Sequence, residues 1–557
     1  MKSKPAVIWI CKTAKKQLAL LILLSIISII TSVSYIGLAL ISRRAINIAT
    51  AHIPFHEMKP QLITAGIELL LIVLGQLALT LLSSHLKTVV SGKFEIDLRN
   101  RLFSSIVTKK YSDIRSFHSG ELINRFTSDI DIVVSGVTNF LPQALSIVAK
   151  ILSGLIVIAS FSTAFTAITL SVGAVVMICA LLFSPVYKKL HKRVQRESGA
   201  MRSFAQECIE NIVVVKSFST KKPLLAKLGE YMKKLYKTKL LRNHISNAAT
   251  GGVFLIFTLG YYATLLWGAF EIAAGKMDYG TLMAFLQIVS QIRMPFYNAS
   301  GLISNFYGAL ASAERLMELE QLPNDKHSDD FNALNCYSAL REIKVENITF
   351  SYGDGKVIID ESSFSLPKGC IASLTGASGA GKSTLFKLLL GLYEPTDGSI
   401  TAVTDSGEFS IDASTRALFA YVPQGNLVLS GTVAENIKFG NPEISDELMI
   451  KAAETACLDE FISTLPDCYN TLLGERGLGL SEGQVQRIAI ARALLSDAPI
   501  LLLDECTSAL DEATERKLLD NLAALSTKTV LFISHRNTSL SICDTHIRLE
   551  NHRLTVE

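Results

Sequence analysis

Charge is scarce in this chain. Of its 557 residues only 19% are charged while 49% are hydrophobic, and the mean hydropathy is +0.35. A soluble domain carries about 25% charged residues, so a water-exposed exterior along the whole length is excluded. Metal-type cysteine spacing is lacking too. The nine cysteines contain no C-x-x-C pair, and apart from Cys506, which follows two carboxylates, they are scattered through apolar or helical stretches. That argues against a structural zinc site and fits reduced thiols and apolar fillers. No period of 20–50 residues recurs, which argues against a solenoid. An Arg- and Ser-rich transit leader is missing as well. Lys2, Lys4, Lys12, Lys15 and Lys16 precede an apolar run at 18–41 that is too long for a cleaved signal segment and reads as a retained first span.

Long apolar runs are what the first half does have. Six lie before residue 311, at 18–41, 62–82, 140–160, 161–186, 251–272 and 281–303. Each covers a hydrocarbon core of about 30 Å at about 1.5 Å rise per residue. The third and fourth are joined by a very short turn near Ser162-Thr163, and the sixth is the least apolar. The connections at 49–60, near 162 and at 273–280 are short and carry little positive charge. Those at 83–139 and 188–247 are long and basic, the second with Lys188, Lys189, Lys192, Arg193 and Arg196 in one run. The positive-inside rule places the long loops and the N-terminus in the cytoplasm. Arg43-Arg44, at the far end of the first span, is the exception and either caps helix carbonyls or lines a cavity. Leu98, Leu102 and Ile106, and later Leu224, Leu228 and Leu235, recur at helical spacing, so the spans continue into the cytoplasm as helices. Each long loop has a break, at 116–120 and at 207–219, where a short transverse element would contact a soluble domain.

After about residue 341 the pattern changes to short strands and helices. The expected division is a membrane domain at 1–322, a polar linker at 323–340 and an α/β domain at 341–557. In the last of these, Gly376-Ala377-Ser378-Gly379-Ala380-Gly381-Lys382-Ser383 reads G-x-x-x-x-G-K-S, a phosphate-binding loop. An apolar strand precedes it and a helix, beginning Thr384-Leu385-Phe386, follows. Glycines let backbone N–H groups close on phosphate oxygens, and the helix N-terminus adds positive potential. Lys382 would reach the β- and γ-phosphates and Ser383 would ligate Mg²⁺. Downstream, Ile500-Leu501-Leu502-Leu503-Asp504-Glu505 is an apolar strand ending in two carboxylates. Alone it would read as a strand with an acidic turn. After a phosphate loop, Asp504 reads as the Mg²⁺ carboxylate and Glu505 as the group that orients or deprotonates the attacking water.

Together these elements resemble the nucleotide-binding domain of ATP-binding cassette (ABC) transporters. Leu480-Ser481-Glu482-Gly483-Gln484 is similar to the family signature LSGGQ, with Glu482 replacing its commonest residue, Gly. The resemblance makes Tyr352 the aromatic over adenine, Gln424 the Q-loop glutamine and a Mg²⁺ contact, Ser508-Ala509-Leu510-Asp511 the D-loop, and His535 the switch histidine at the γ-phosphate. Ser481, Gly483 and Gln484 would meet the ATP held by an opposite subunit. Gly474-Glu475-Arg476-Gly477 is similar to an exporter-type element, and the stretch at 120–129 looks like the first coupling segment of an exporter.

The resemblance covers nearly the whole chain. It implies a half-transporter: an all-α six-helix transmembrane domain with long cytoplasmic extensions, followed by an α/β phosphate-loop NTPase domain of ABC type. It also implies ATP and Mg²⁺ as cofactors and dimerisation with a second half-transporter, a homodimer being favoured because every catalytic element is intact. The expected place is a bacterial inner membrane, among lipid, with the nucleotide-binding domain in the cytoplasm and no nucleic-acid partner. The expected activity is ATP-driven export or flipping of a lipid, peptide or amphipathic small molecule. An exporter-fold importer would share every motif, and an ATP-gated channel or regulatory sensor would turn over little ATP. Finally, Lys150 and Arg293 sit within apolar spans with no acidic residue inside a helical turn. Each either pairs with carbonyls or Glu68, snorkels, or faces a basic cavity.

Overall fold

A computed structural model describes residues 4–556 apart from 52, 219–220, 326–330, 354, 426–427, 440, 442, 475–478, 526 and 535–539, and apart from the side chains of 164, 176–177, 179–181, 184, 188, 294–300 and 303–304. It divides into two compact units, one of residues 1–104 and 119–321 and the other of residues 105–118 and 322–557.

With no water to satisfy backbone groups in hydrocarbon, an apolar run must close its hydrogen bonds within itself. The first unit is accordingly helical: α1 (Lys4–Thr13), α2 (Leu18–Thr50) and α3 (Phe55–Thr108) are followed, after α4 (Tyr111–Ile114) of the second unit, by α5 (Ser119–Asn124), α6 (Ile130–Phe161), α7 (Thr163–Glu210), α8 (Ile212–Ser217), α9 (Lys221–Ala273) and α10 (Tyr279–Gln321). Among the described residues four stretches are long and apolar enough to cross a membrane: Pro5–Thr50, Phe55–Thr108, Ser119–Phe161 and Lys221–Ala273. α7 carries a shorter apolar stretch, Phe165–Val175, and α10 holds the least apolar of the six runs. The turn expected near 162 is a single residue. Ser162 is extended, and its hydroxyl accepts from Phe165 N to start α7. α9 has 53 residues, about 80 Å of helix and far more than a bilayer core requires.

Polar groups fasten the ends of these helices. At the far end, Arg43 resolves as a clamp. Its guanidinium donates to Thr281 Oγ1 (2.8 Å) and Asp278 (3.3 Å) and lies 4.1 Å from the Phe161 ring centroid. Burial would raise the Asp278 pKa, but donors from Thr281, Asn47 and Arg43 outweigh it and hold the carboxyl below its usual value. Arg44 pairs with Glu68, which is therefore committed there. At the opposite end Asp129, 1% exposed, accepts from Ser312 and Arg315, and Arg125 pairs with Glu121 and Glu318. This network holds the stretch at 120–129 to α10 as the base of α6. Upstream of the first break, α4 is a helix of four residues. The second break falls at Asn211, and α8 beyond it exposes Ile212, Val213 and Val214.

The second unit is α/β. β1 (Leu340–Ser351), β2 (Val357–Pro367), β4 (Asp397–Thr404) and β5 (Gly407–Ser410) form an antiparallel sheet in the order β2-β1-β4-β5. β3 (Ile371–Gly376), β6 (Phe419–Val422), β9 (Ile500–Asp504), β10 (Thr529–Ile533), β11 (Thr545–Glu550) and β12 (Arg553–Val556) form the central sheet in the order β12-β11-β3-β10-β9-β6, parallel except for β12. β7 (Gly431–Thr432) pairs with β8 (Leu472–Leu473). The helices are α11 (Ala333–Ala339), α12 (Lys382–Leu389), α13 (Val433–Lys438), α14 (Asp446–Thr455), α15 (Asp459–Ser463), α16 (Glu482–Leu495) and α17 (Glu512–Ala523). The central strands read as unbroken apolar runs because both faces are covered. Leu502, Leu531 and Ile547 enter one core, and Leu501, Leu503 and Phe532 the other. α11 lies within the stretch expected to be linker, and Tyr337 on it is buried with its hydroxyl against Thr529. Residues 105–118 join this unit through Lys109, which donates to Leu322 O and Asn324, and through Lys110, paired with Glu394 at 2.9 Å.

Gly136 shows how closely α6 and α10 approach. A Cβ there would collide with the Ala309 side chain, whereas one at Gly199 would meet nothing within 4 Å. Gly136→Ala is expected to destabilise the purified protein by about 1–3 kcal/mol through overpacking. Gly199→Ala should leave thermal melting unchanged or raised. Equal melting curves for the two variants would contradict this packing.

Candidate nucleotide site

The phosphate loop takes its shape from three glycines. Gly376, Gly379 and Gly381 have φ of +147°, +78° and +116°, values a side chain disfavours. A Cβ on Gly376 would also strike the Leu549 carbonyl, and one on Gly381 the Ile358 side chain. The loop joins β3 to the first turn of α12, so Ala377, Ser378, Ser383 and Thr384 lie at a helix N-terminus, and the N–H groups of Ala380 and Thr384 donate to Ala377 O (3.1 Å) and Gly381 O (2.9 Å). Lys382 curls back, and its ammonium donates to the carbonyls of Gly376 (2.8 Å) and Ala377 (3.0 Å). Burial lowers its pKa, partly offset by Glu505 and Asp504.

Strand order brings the two carboxylates to this loop. β10 lies between β3 and β9, so Asp504 at the end of β9 comes beside α12. Asp504 is 2% exposed. Burial raises its pKa, and the Ser383 and Tyr421 hydroxyls partly counter this by donating to it. Tyr421 pairs with Leu502 across β6 and β9, so its side chain rises on the same face as Asp504, two residues along. Nothing local in the sequence links Tyr421 to a strand some eighty residues away.

Glu505 follows in the left-handed region, φ +50°, which is rare outside glycine. It is held there by its N–H to Ile533 O (3.1 Å) and by Gln424, whose amide donates to its carboxylate at 2.6 Å. Gln424, Ser383, Asp504 and Glu505 therefore converge. Their hydroxyl, amide and carboxylate oxygens are the hard donors Mg²⁺ prefers, so the residues present fit Mg²⁺ beside a phosphate chain. Gln486, on α16, is 4% exposed. It donates to Glu505 O (3.4 Å) and Ser508 Oγ (3.2 Å) and accepts from Ala509 N, tying α16 to the turn after Glu505. Cys506, fully buried, has its thiol pushed up to about 12 by desolvation and packs as an apolar group.

Ser481 caps α16. Its hydroxyl accepts from Gln484 N while Gln484 Oε1 accepts from Ser481 N, a reciprocal capping box. Gly483 is buried, and a Cβ there would press on Ala509 O and Leu510. Glu482 is exposed on the first turn, where an acidic side chain suits the helix dipole, so the departure from LSGGQ is tolerated locally. Asp511 caps α17 through Thr514 N. Tyr352 bonds to Thr384 Oγ1 through its hydroxyl (3.0 Å) and meets Phe350 and Tyr393 edge-on. Tyr393 in turn receives Arg115 and the Tyr111 ring from the α4 segment. His535 and the stretch at 475–477 lie outside the described residues.

The family described as ABC transporter transmembrane region matches residues 21–296, and the family described as ABC transporter matches residues 359–508. The chain is 31% identical to ABC transporter B family member 1 of Dictyostelium discoideum, over 83% of this chain and 51% of that one. It is 30% identical to the lactococcin-A transport/processing ATP-binding protein of Lactococcus lactis subsp. lactis, over 85% of this chain and 65% of that one. It thus spans between half and two thirds of the length of these two relatives. A solved bacterial Atm1-family ABC exporter with ATP bound has the same fold, with a TM-score of 0.82 at 22% identity over 97% of this chain and 94% of that one.

Tyr421→Phe removes one donor to a carboxylate that would hold Mg²⁺. It is expected to raise the Mg²⁺ concentration for half-maximal ATPase by about tenfold, as loss of such outer partners does. An unchanged Mg²⁺ titration would show that Asp504 needs no help from Tyr421.

Proposed function

The chain belongs to the ATP-binding cassette transporter family, and on that premise we propose that it is one half of a two-chain exporter that moves an amphipathic solute out of the cytoplasmic side. It is an ATPase whose turnover drives transport across the membrane it spans. The solute classes that suit it are lipids, peptides and amphipathic small molecules. The phosphate loop binds ATP, with Lys382 on the β- and γ-phosphates and Tyr352 against adenine. Ser383, Gln424 and Asp504 would hold Mg²⁺, which would supply charge neutralisation at the phosphates. Glu505 orients and deprotonates the attacking water, and His535 stands at the γ-phosphate. Ser481, Gly483 and Gln484 complete the ATP site of the opposite subunit, so closure of two chains over two nucleotides drives the helices to open outward and hydrolysis resets them.

A homodimer is favoured because one chain carries the whole catalytic set. The membrane domain extends over 1–322 and the nucleotide-binding domain over 341–557, with the latter in the cytoplasm of a bacterium and the former in its inner membrane. The observation that carries the reading is the convergence of Gln424, Asp504 and the left-handed Glu505 on the phosphate loop.

Glu505→Gln keeps the Gln424 neighbourhood and removes the base. ATP binding should persist while hydrolysis falls by about 10²–10⁴-fold, and a closed ATP-bound dimer should accumulate on size-exclusion chromatography. Near-normal ATPase in the purified variant would take Glu505 out of this role. Uptake rather than release of solute by inside-out vesicles distinguishes export from import.

A further inference from the structure

Five polar residues of α6 recur at alternating spacings of four and three: Asn139, Gln143, Ser146, Lys150 and Ser153. At about 100° per residue they form one stripe along the helix. Leu141, Leu145, Val148, Leu152 and Ile156 form a second stripe, apolar and exposed, about two residues and hence half a turn away. The apolar stripe suits lipid, while Asn139, Ser146, Lys150 and Ser153 of the polar one are half-buried and Gln143 is exposed.

Around Lys150 three helices meet. Its ammonium lies 4.6 Å from the centroid of the Tyr35 ring of α2. One turn below, Ser146 bonds to Ser32 of α2. Gln291 of α10 donates to Tyr35 O (3.0 Å), and its own Oε1 is buried without a hydrogen-bond partner among the described residues. Serine pairs of this kind join helices in membranes, but joining helices does not call for an ammonium. The ring face offsets only part of the cost of a charge at this depth. No carboxylate is available to finish the task. The six apolar runs hold only two, Glu68, which is engaged by Arg44, and Glu271 at the far end of its run. Among the described residues Lys150 has no ion-pair partner.

Next to this seam is a cavity of about 410 Å³ between α6, α7, α9 and α10, a size that suits a small ligand. Ile151 and Ile292, the chain neighbours of Lys150 and Gln291, line it. Its two threonines, Thr169 and Thr264, donate to Phe165 O and Gly260 O of their own helices, so the wall asks for nothing polar. Gly173 opens onto it, with nothing within 4 Å of a Cβ.

We propose that Lys150 with Tyr35 and Gln291 receives the anionic head, a phosphate or carboxylate, of an amphiphile whose hydrocarbon part occupies the adjoining cavity. This rests on the transporter reading above and narrows its substrate to anionic amphiphiles.

The test uses full-length protein in nanodiscs of zwitterionic lipid, with alkyl phosphate, alkyl carboxylate, alkyl trimethylammonium and alkyl maltoside of one chain length as probes. Nanodiscs containing anionic phospholipid form a separate arm, which distinguishes a bilayer lipid from a free amphiphile. Thermal stabilisation by each probe and stimulation of ATPase are both read. The anionic probes should stabilise and stimulate the parent protein selectively. Lys150→Met should raise their half-effective concentration by about tenfold or more, the scale of a lost hydrogen bond to a charged group, with basal ATPase unchanged. Lys150→Arg should behave as the parent. Gly173→Leu should weaken long-chain anions and leave short-chain ones alone. Equal response of Lys150→Met and parent, or no preference for anions in thermal stabilisation, overturns the proposal. Absence of ATPase in the parent under every condition instead overturns the transporter reading, while the binding arm still decides the charge preference.

Discussion

A carboxylate buried at the end of an apolar strand is the constraint around which the second unit is arranged. All five residues of β9 are buried, and the last of them is Asp504. Desolvation pushes its pKa up, and an unassisted carboxyl there would be costly. Ser383 and Tyr421 supply the hydroxyls that make the position tenable. One belongs to the phosphate loop and the other to the neighbouring strand, so the same two bonds that pay for burial also fix the loop against the sheet. Glu505, next along, leaves the strand in the left-handed region, where Gln424 and Gln486 take hold of its side chain and its carbonyl.

The membrane half obeys the same rule with fewer polar groups. Arg43 and Asp278 tie α2 to the start of α10 at one end, and Asp129 and Arg315 tie the base of α6 to α10 at the other. Between these two clamps α6 and α10 meet through Gly136 against Ala309, the stacked rings of Phe140 and Phe306, and Gly154 beside Ile288 and Ile292. Lys150 stands apart from this scheme as a charge in the interior that no clamp uses, which is why it points toward a ligand.

The phosphate loop, the strand ending in Asp504 and Glu505, and the signature helix with Ser481 were all legible in the sequence, because each is a contiguous run whose chemistry dictates its local backbone. The division into a helical and an α/β half was legible for a related reason, since the solvent changes there. Tyr421 and Gln486 were not, because their roles arise from strand order and helix packing between residues distant in the chain. The partners of Arg43 and Arg44 were hidden likewise. The ion pairs of Arg125 and Asp129, which commit the stretch at 120–129 to the helical unit, were hidden for the same reason.

The central claim is that each ATP site is built from two chains, with the phosphate loop of one and the signature of the other. The most direct measurement is complementation. A Lys382→Ala chain and a Ser481→Arg chain, carrying different tags, are each inactive as homodimers on this account, because both composite sites are broken. Co-expressed and purified through both tags, they form a heterodimer in which one site has an intact Lys382 and an intact Ser481. The account predicts that this heterodimer regains ATPase activity that neither variant shows alone. A doubly tagged sample as inactive as its parents, or a Ser481→Arg chain fully active by itself, would contradict it.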